Sequence, residues 1–324
     1  MSAVLDASNL PALSGKPLYA LIDPYFREPQ PIDIDTAEVT SFDELQSVRA
    51  AGWGRDVWVP RSEAPLIDPL QLPYLVALDS AGDPWCSQLA QLAAEEAAEA
   101  LQSGTAAFTT GTFIESDLAA ERLMQRIESM WRQPVNGETR YLRIADPRGF
   151  EMLSQLIPEA ELRHWLGPIH GWHVRARSGR WMRLAGFAND DRIDSEADFY
   201  RRGQRLEQAA ALSPRLAMNP ARVRRLQQGQ IVARVLNQLP HNAAVPAGAH
   251  EAAWTAIEEA SRLGLADADD LVAYACRSLA NTGFRSSPMH APAIAAARAR
   301  PGSLAQALEQ LEQLESAEQP RPTT

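Results

Sequence analysis

Residues 141–156 read YLRIADPRGFEMLSQL, a run that turns from strand to helix at an Asp-Pro-Arg corner. The residues leading into it, TRYLRIA, predict a strand over 139–145 that stops at the Asp-Pro pair. Asp146 then stands at the N-cap, where a carboxylate accepts first-turn N–H groups. Pro147 takes the first helical position, where its missing N–H is no loss. Phe150, Leu153 and Ile157 follow as an apolar stripe, and Pro158 opens a second short helix with Leu162, Trp165 and Leu166 inward. Gly167 and Pro168 stop that helix. A strand leading through such a corner into two helices predicts a mixed α/β domain around it.

The segments on either side extend the pattern. Upstream, PLYALID (17–23) predicts a buried strand, and SFDELQSVRAAG a helix opened by a Ser41–Glu44 capping box and closed by Gly52. DVWVP and LPYLVALD predict two more strands. From Trp85 to Gly104, Leu89, Leu92, Ala93, Ala97, Ala100 and Leu101 keep helical spacing, with Glu95, Glu96 and Glu99 expected on the other face. AAFTTGTFIES predicts a strand, with Ser116 or Asp117 capping a helix whose stripe is Ala120, Met124, Ile127 and Trp131. Downstream, IHGWHVRARSGRWMRLAGF predicts a hairpin turning at Ser178-Gly179.

The polar run NDDRIDSEAD (189–198) is expected to be a linker, because no strand signal follows it. Helices are predicted at about 198–211, 221–239, 248–263, 268–280 and 303–317. In them Val232, Val235, Leu236 and Leu239 share one face, Asp267 caps a helix with Val272, Ala275, Cys276 and Leu279 inward, and Ser303 and Gln306 form a capping box. The expected fold class is α+β: a mixed α/β domain over 17–188, then an all-helical domain over 199–317, with tails at 1–16 and 318–324. No internal repeat is visible.

The 324 residues are 45% apolar and 22% charged, enough for two cores. The net charge of −10 is uneven: residues 1–175 carry 13 basic and 25 acidic groups, residues 176–324 carry 18 and 16. That balance opposes nucleic-acid or anionic-membrane binding by the first half. Lys16 is the one lysine among 31 basic residues, so basic surfaces here are guanidinium forks suited to carboxylates and phosphates. The two cysteines, Cys86 and Cys276, provide neither a disulfide framework nor a CxxC pair, which fits the cytoplasm. The opening MSAVLDASNLPALSGKPLYALID has no positive n-region or continuous apolar h-region, and no run reaches the ~18 apolar residues of a membrane span. Neither a signal peptide nor a membrane anchor is expected.

Motifs for chemistry are few. No Gly-rich phosphate loop, GxGxxG after a strand or GxSxG elbow occurs, and HEAAW (250–254) places Trp254 where a zincin helix needs its second histidine. His164, His170 and His173 lie among Trp165, Trp172 and Trp181, but on a strand His170 and His173 point to opposite faces, so packing and hydrogen bonding are the expectation. No metal, no cofactor and no catalytic residue is expected; the rival reading is a metal-dependent hydrolase using His170 or His173 with Asp146. Cys86, at a helix start, is the candidate for a reactive thiol. Asp146 between Arg143 and Arg148 reads as a cap held by guanidinium groups, with a partner contact as the alternative. Arg201, Arg202, Arg205, Arg215, Arg222, Arg224 and Arg225 are dense enough for one basic face. The readings of that face are a solvated helix surface, an acidic protein partner, or nucleic acid.

Taken together, LYALIDP, LPYLVALD, FTTGTFIES, YLRIADPRGFEML and LGPIHGWHV resemble the bacterial type VI secretion effector adaptors, a family first known as a domain of unknown function. The elements matched are the strand ending in Asp, the Pro-Tyr-Leu strand, the corner Arg143, Asp146, Pro147, Arg148, and the closing Gly167, Pro168, Trp172. The similarity covers about residues 17–187, and GLADADDLVAYACRSL (264–279) is similar, more loosely, to the helical segment behind the family's adaptor domain. The histidine-rich IHGWH and the acidic, proline-rich insert at 27–38 depart from the pattern. The resemblance implies a non-enzymatic cytoplasmic chaperone that binds a toxic effector and loads it onto a VgrG or PAAR-type spike protein. The expected partners are that effector and spike, with neither nucleic acid nor membrane.

Overall fold

A computed structural model describes residues 15–25, 27–30, 32, 39, 41–61, 68–80, 82–103, 108–135, 138–176, 179–186, 215–238 and 248–318. The class is α+β, and the chain divides into two compact units, Met1–Val223 and Arg224–Thr324.

The first unit is built on a six-stranded sheet of β1 (Leu18–Ile22), β2 (Val57–Trp58), β3 (Tyr74–Leu78), β4 (Thr112–Ser116), β7 (Ile169–Arg175) and β8 (Trp181–Leu184). Its order is β2-β3-β1-β4-β7-β8, and every neighbouring pair is antiparallel. β1 sits between β3 and β4, with Ala20 opposite Val76 on one side and Phe113 on the other. All five of its residues are buried, which explains a continuous apolar run in place of alternation.

One sheet face, with Leu18, Ala20, Ile22, Tyr74, Val76, Phe113 and Trp181, packs on α1 (Phe42–Trp53) through Leu45 and Trp53. It meets α2 (Pro84–Ser103) through Cys86 and Leu89. The other face carries Trp172. On that ring Phe150 of α4 (Pro147–Leu156) stacks at 4.9 Å and 2°, with Trp165 of α5 (Glu159–Leu166) beyond it. α3 (Ala120–Trp131) buries the expected Ala120, Met124, Ile127 and Trp131. Cys86 is fully buried and burial pushes its thiol up to about 12, away from reactivity.

Several local expectations change. The capping box of α1 forms, but the helix runs on to the left-handed Gly54 (φ 62°). Gly52 is instead a close approach, where a Cβ would lie 2.7 Å from Ile32. The N-cap of α3 is Ala119, which has no side-chain cap, since the Ser116 hydroxyl accepts from the Leu118 amide instead. The strand expected over 139–145 ends at Tyr141. It is β6 (Glu138–Tyr141), paired with β5 (Arg132–Val135) in a separate ribbon. After it the chain bends through Leu142, whose N–H donates to the Trp131 carbonyl, so Arg143 to Ala145 are free to reach β4. The hairpin at Gly179 (φ 75°) forms as predicted.

The linker expected at 189–198, the helix at 198–211 and Arg201, Arg202 and Arg205 lie outside the described residues. Residues 215–223, expected in the helical domain, belong to the first unit. The Leu216 amide donates to Gln133 and the Ala217 amide to Glu161.

The second unit is helical. The helix expected at 221–239 is two, α6 (Pro220–Gln227), whose first four residues belong to the first unit, and α7 (Gly229–Gln238), parted beside Gly229, which costs about 1 kcal/mol in a helix relative to alanine. α8 (Ala249–Arg262) and α9 (Ala268–Ala280) follow, the latter capped by Asp267 as predicted. α10 (His290–Ala299) was not predicted, because its buried face, Ala293, Ile294 and Ala297, is mostly alanine and gives little periodic signal. α11 (Leu304–Glu318) does not use the expected capping box: the Ser303 hydroxyl donates to the Arg300 carbonyl, and the Leu304 amide donates to Asp270 of α9 at 2.8 Å. Among the described residues no helix is long and apolar enough to cross a membrane.

Candidate functional site

At one end of the central sheet β1 runs out into Asp23, whose amide donates to the Thr109 carbonyl just before β4. The Arg-x-x-Asp-Pro-Arg corner closes over this end. Arg143 donates through Nε (3.0 Å) and Nη2 (2.8 Å) to Asp23 Oδ2, while the Tyr25 amide donates to Oδ1. Asp146 caps α4 by accepting from the Arg148 amide at 2.9 Å, and the Arg148 side chain returns to both its oxygens at 3.0 and 2.7 Å. The guanidinium groups are also stacked: Arg143 lies 4.3 Å over Tyr25 and Arg148 4.5 Å over Phe108. A third acid joins from α2. Glu96 accepts from the amides and hydroxyls of both Thr109 and Thr110, and Arg27 approaches it to 3.8 Å.

Asp23, Glu96 and Asp146 are all buried, whereas the arginines keep an exposed edge. Burial drives the Asp23 carboxyl up to about 6, against the pull of Arg143 and with a further push from Asp146. For Arg148 burial opposes the charge, and its hydrogen bonds to Asp146 outweigh that and raise it. Three carboxylates and three guanidinium groups thus form one charge-compensated clamp that ties β1, α2, the start of β4 and the start of α4 together. Pro147 belongs to the same joint, since a Cβ on Gly111 (φ 96°) would meet its ring at 3.3 Å.

The histidines lie elsewhere. His173, wholly buried in β7, donates from Nε2 to Glu115 of β4 at 2.8 Å, and its Nδ1 has no hydrogen-bond partner. Burial lowers its pKa, with Glu115 pulling the other way. Gly171 makes the pair possible, because a Cβ there would come within 2.6 Å of both the Glu115 carboxylate and the His173 ring. His170 is also buried and pairs with Asp117, which takes Lys16 as well. His170 stands five residues before Arg175, the end of β7 that neighbours Gly111 and Pro147, so Asp146 is about 16 Å away along the strand. The structure therefore does not gather His170, His173 and Asp146. Among the described residues no group of three His, Cys, Asp or Glu side chains could hold a metal ion.

Of the expected arginine face, Arg215 and Arg224 are exposed. Arg222 donates to Glu161 within the first unit. Arg225 bonds Glu251 and Glu258 and lies 5.3 Å over the Trp254 ring within the second. The residues that close the family-like pattern are structural: Gly167 (φ 62°) ends α5, buried Pro168 leads into β7, and Trp172 takes the Phe150 stack.

No family model, curated protein or solved structure matches this chain.

Sequence reasoning passed over Asp23, Glu96 and Glu115. In the sequence Asp23 reads only as a strand end, with nothing to link it to Arg143, 120 residues away. Glu96 did carry a signal, because it stands seven residues after Leu89 and three after Ala93, on the apolar stripe itself. The lone carboxylate of Glu115 between Ile114 and Ser116 was likewise a charge inside a buried strand.

Proposed function

We propose that this protein is a non-enzymatic adaptor that binds a type VI secretion effector in the cytoplasm and helps load it onto a VgrG or PAAR-type spike. The observation that carries the proposal is the Arg143–Asp23 bond. Two of the five stretches that carry the resemblance, LYALIDP and YLRIADPRGFEML, meet in one clamp, so their co-occurrence has a physical reason in this fold. That clamp is made of groups engaged with one another, which suits a scaffold that displays recognition surfaces. Arg215 in the first unit and Arg224 in the second are, each by itself, the described arginines we assign to effector contact, since Arg222 and Arg225 already hold carboxylates of their own unit.

The test is a pull-down of the tagged protein from its host's cytosol, read by mass spectrometry. A toxin-like protein or a spike-tip component enriched near one-to-one is the expected result, and the Arg215→Glu/Arg224→Glu variant, still folded, should lose the effector. An empty pull-down from folded protein overturns the adaptor reading. Retention of the effector by the double variant moves the contact to another surface.

A further inference from the structure

In the first unit the described part of the acidic, proline-rich insert, residues 27–30 and 32, lies over α1. Glu28 reaches from it to Arg49 of α1, whose side chain is wholly buried. Glu28 Oε1 accepts from Arg49 Nε at 3.0 Å and Nη2 at 2.8 Å, and its Oε2 accepts from the Tyr74 hydroxyl at 2.6 Å. Arg49 lies 4.1 Å over the Tyr74 ring and donates again to the Leu70 carbonyl at 2.7 Å. The Trp53 indole N–H donates to the Tyr74 hydroxyl at 3.0 Å. A guanidinium held on a ring, beside a phenol held by an indole, forms a receptor for one carboxylate.

A buried guanidinium left without a carboxylate is strongly destabilising, and among the described residues Glu28 is the one acid paired with Arg49. The pocket therefore has to be filled, and its present occupant is fastened by side chains. Among the described residues no backbone hydrogen bond ties residues 27–30 to the rest of the unit. Their attachments are the Glu28 carboxylate and a 3.8 Å approach of Arg27 to Glu96, with Ile32 packed in the notch left by Gly52. Glu28 is also the outermost member of the network, 15% exposed against none for Arg49. This strap sets one carboxylate oxygen on the guanidinium in place of the two-oxygen fork, and Arg49 Nη1 has no hydrogen-bond partner. A carboxylate that is not tethered to the strap can take the fork.

We propose that Glu28 is a resident plug in a carboxylate-binding pocket, and that an acidic side chain of a protein partner displaces it and binds Arg49 and Tyr74 in its place. The inference rests on the adaptor reading for the existence of that partner. It is tested with peptides alone, so a failure here removes the pocket's role, whereas an empty pull-down removes the adaptor reading.

The probes are blocked Gly-Glu-Gly and Gly-Asp-Gly tripeptides, with Gly-Gln-Gly as the uncharged control. The readout is the indole ¹⁵N–H resonance of Trp53, identified by its loss in Trp53→Phe, because that N–H bonds the hydroxyl that holds the carboxylate. In Glu28→Gln, which keeps the strap and removes its charge, the acidic peptides should move the resonance saturably and the control should not. In the parent the same bound position should be reached with a midpoint roughly tenfold higher, since the tethered Glu28 competes at a high effective concentration. A parent resonance that stays still at peptide concentrations well past saturation of the variant would make Glu28 a permanent fastening. A stationary resonance in both proteins would close Arg49 to any second carboxylate, and either outcome overturns the proposal.

Discussion

Asp23→Asn isolates the cost of keeping a carboxylate at the sheet end. The amide keeps the shape and removes the charge; its single oxygen can accept from the Tyr25 amide or from Arg143 but not both, a loss that does not vary with pH and so leaves the pH dependence to the carboxyl. In the folded protein the Asp23 carboxyl ionises near pH 6, against its ordinary value of 3.8, with burial as the leading cause. The folded state therefore takes up a proton at a pH where the unfolded chain has not. As pH falls through 6 toward 3.8, the parent gains stability relative to the variant; above 6 both states are ionised and the burial penalty is fully present. The gain is about 1.4 kcal/mol between pH 7.5 and pH 5, and approaches about 3 kcal/mol below pH 4. Urea unfolding of both proteins at pH 7.5, 6.0, 5.0 and 4.5 reads this as a difference of differences, which cancels the other titrating groups. A flat difference would mean that Arg143 holds Asp23 ionised throughout. A difference of the opposite slope would mean that the ion pair outweighs burial, and would refute the reasoning.

Asp146→Ala should destabilise by roughly 1 kcal/mol for the lost cap and about 1–2 kcal/mol more for the bonds Arg148 loses, and a thermal melt unchanged from the parent would dismiss Asp146 as the keystone of the corner. Gly171→Ala should cost about 1–3 kcal/mol, since its Cβ would fall 2.6 Å from both members of the Glu115–His173 pair; chemical denaturation with an unshifted midpoint would show that the pair can move aside.

How much of this was legible depended on whether a residue's role was local. The Asp146 cap, the Ser41–Glu44 box, the Asp267 cap and the stripe of α3 follow from spacings of a few residues, and each appears as read. The strand expected at 139–145 stops at Tyr141 because its pairing is set by a partner the local run does not name: β6 pairs with β5, away from the central sheet, and the ribbon ends where the Leu142 amide donates to the Trp131 carbonyl. The chemistry of Glu96 points to solvent although its position is on the stripe, and the four donors of Thr109 and Thr110 that make it tolerable come from beyond the helix. The clamp itself was half visible. Arg143, Asp146 and Arg148 stood out by proximity, while Asp23 is joined to them only through the sheet.

The strand order has a consequence for synthesis. β1, near the start of the chain, pairs with β3, which follows within about sixty residues, and with β4; β4 in turn pairs with β7, which ends at Arg175. A nascent chain that has emerged only as far as the end of α3 therefore presents β4 as an open edge, with the apolar Phe113 and Ile114 beside unpaired backbone groups, until about 45 more residues leave the ribosome. Glu115 of that strand, matched in the folded protein by His173, places a carboxylate where another strand would add, and a charge at an open edge disfavours pairing with a second copy until β7 arrives.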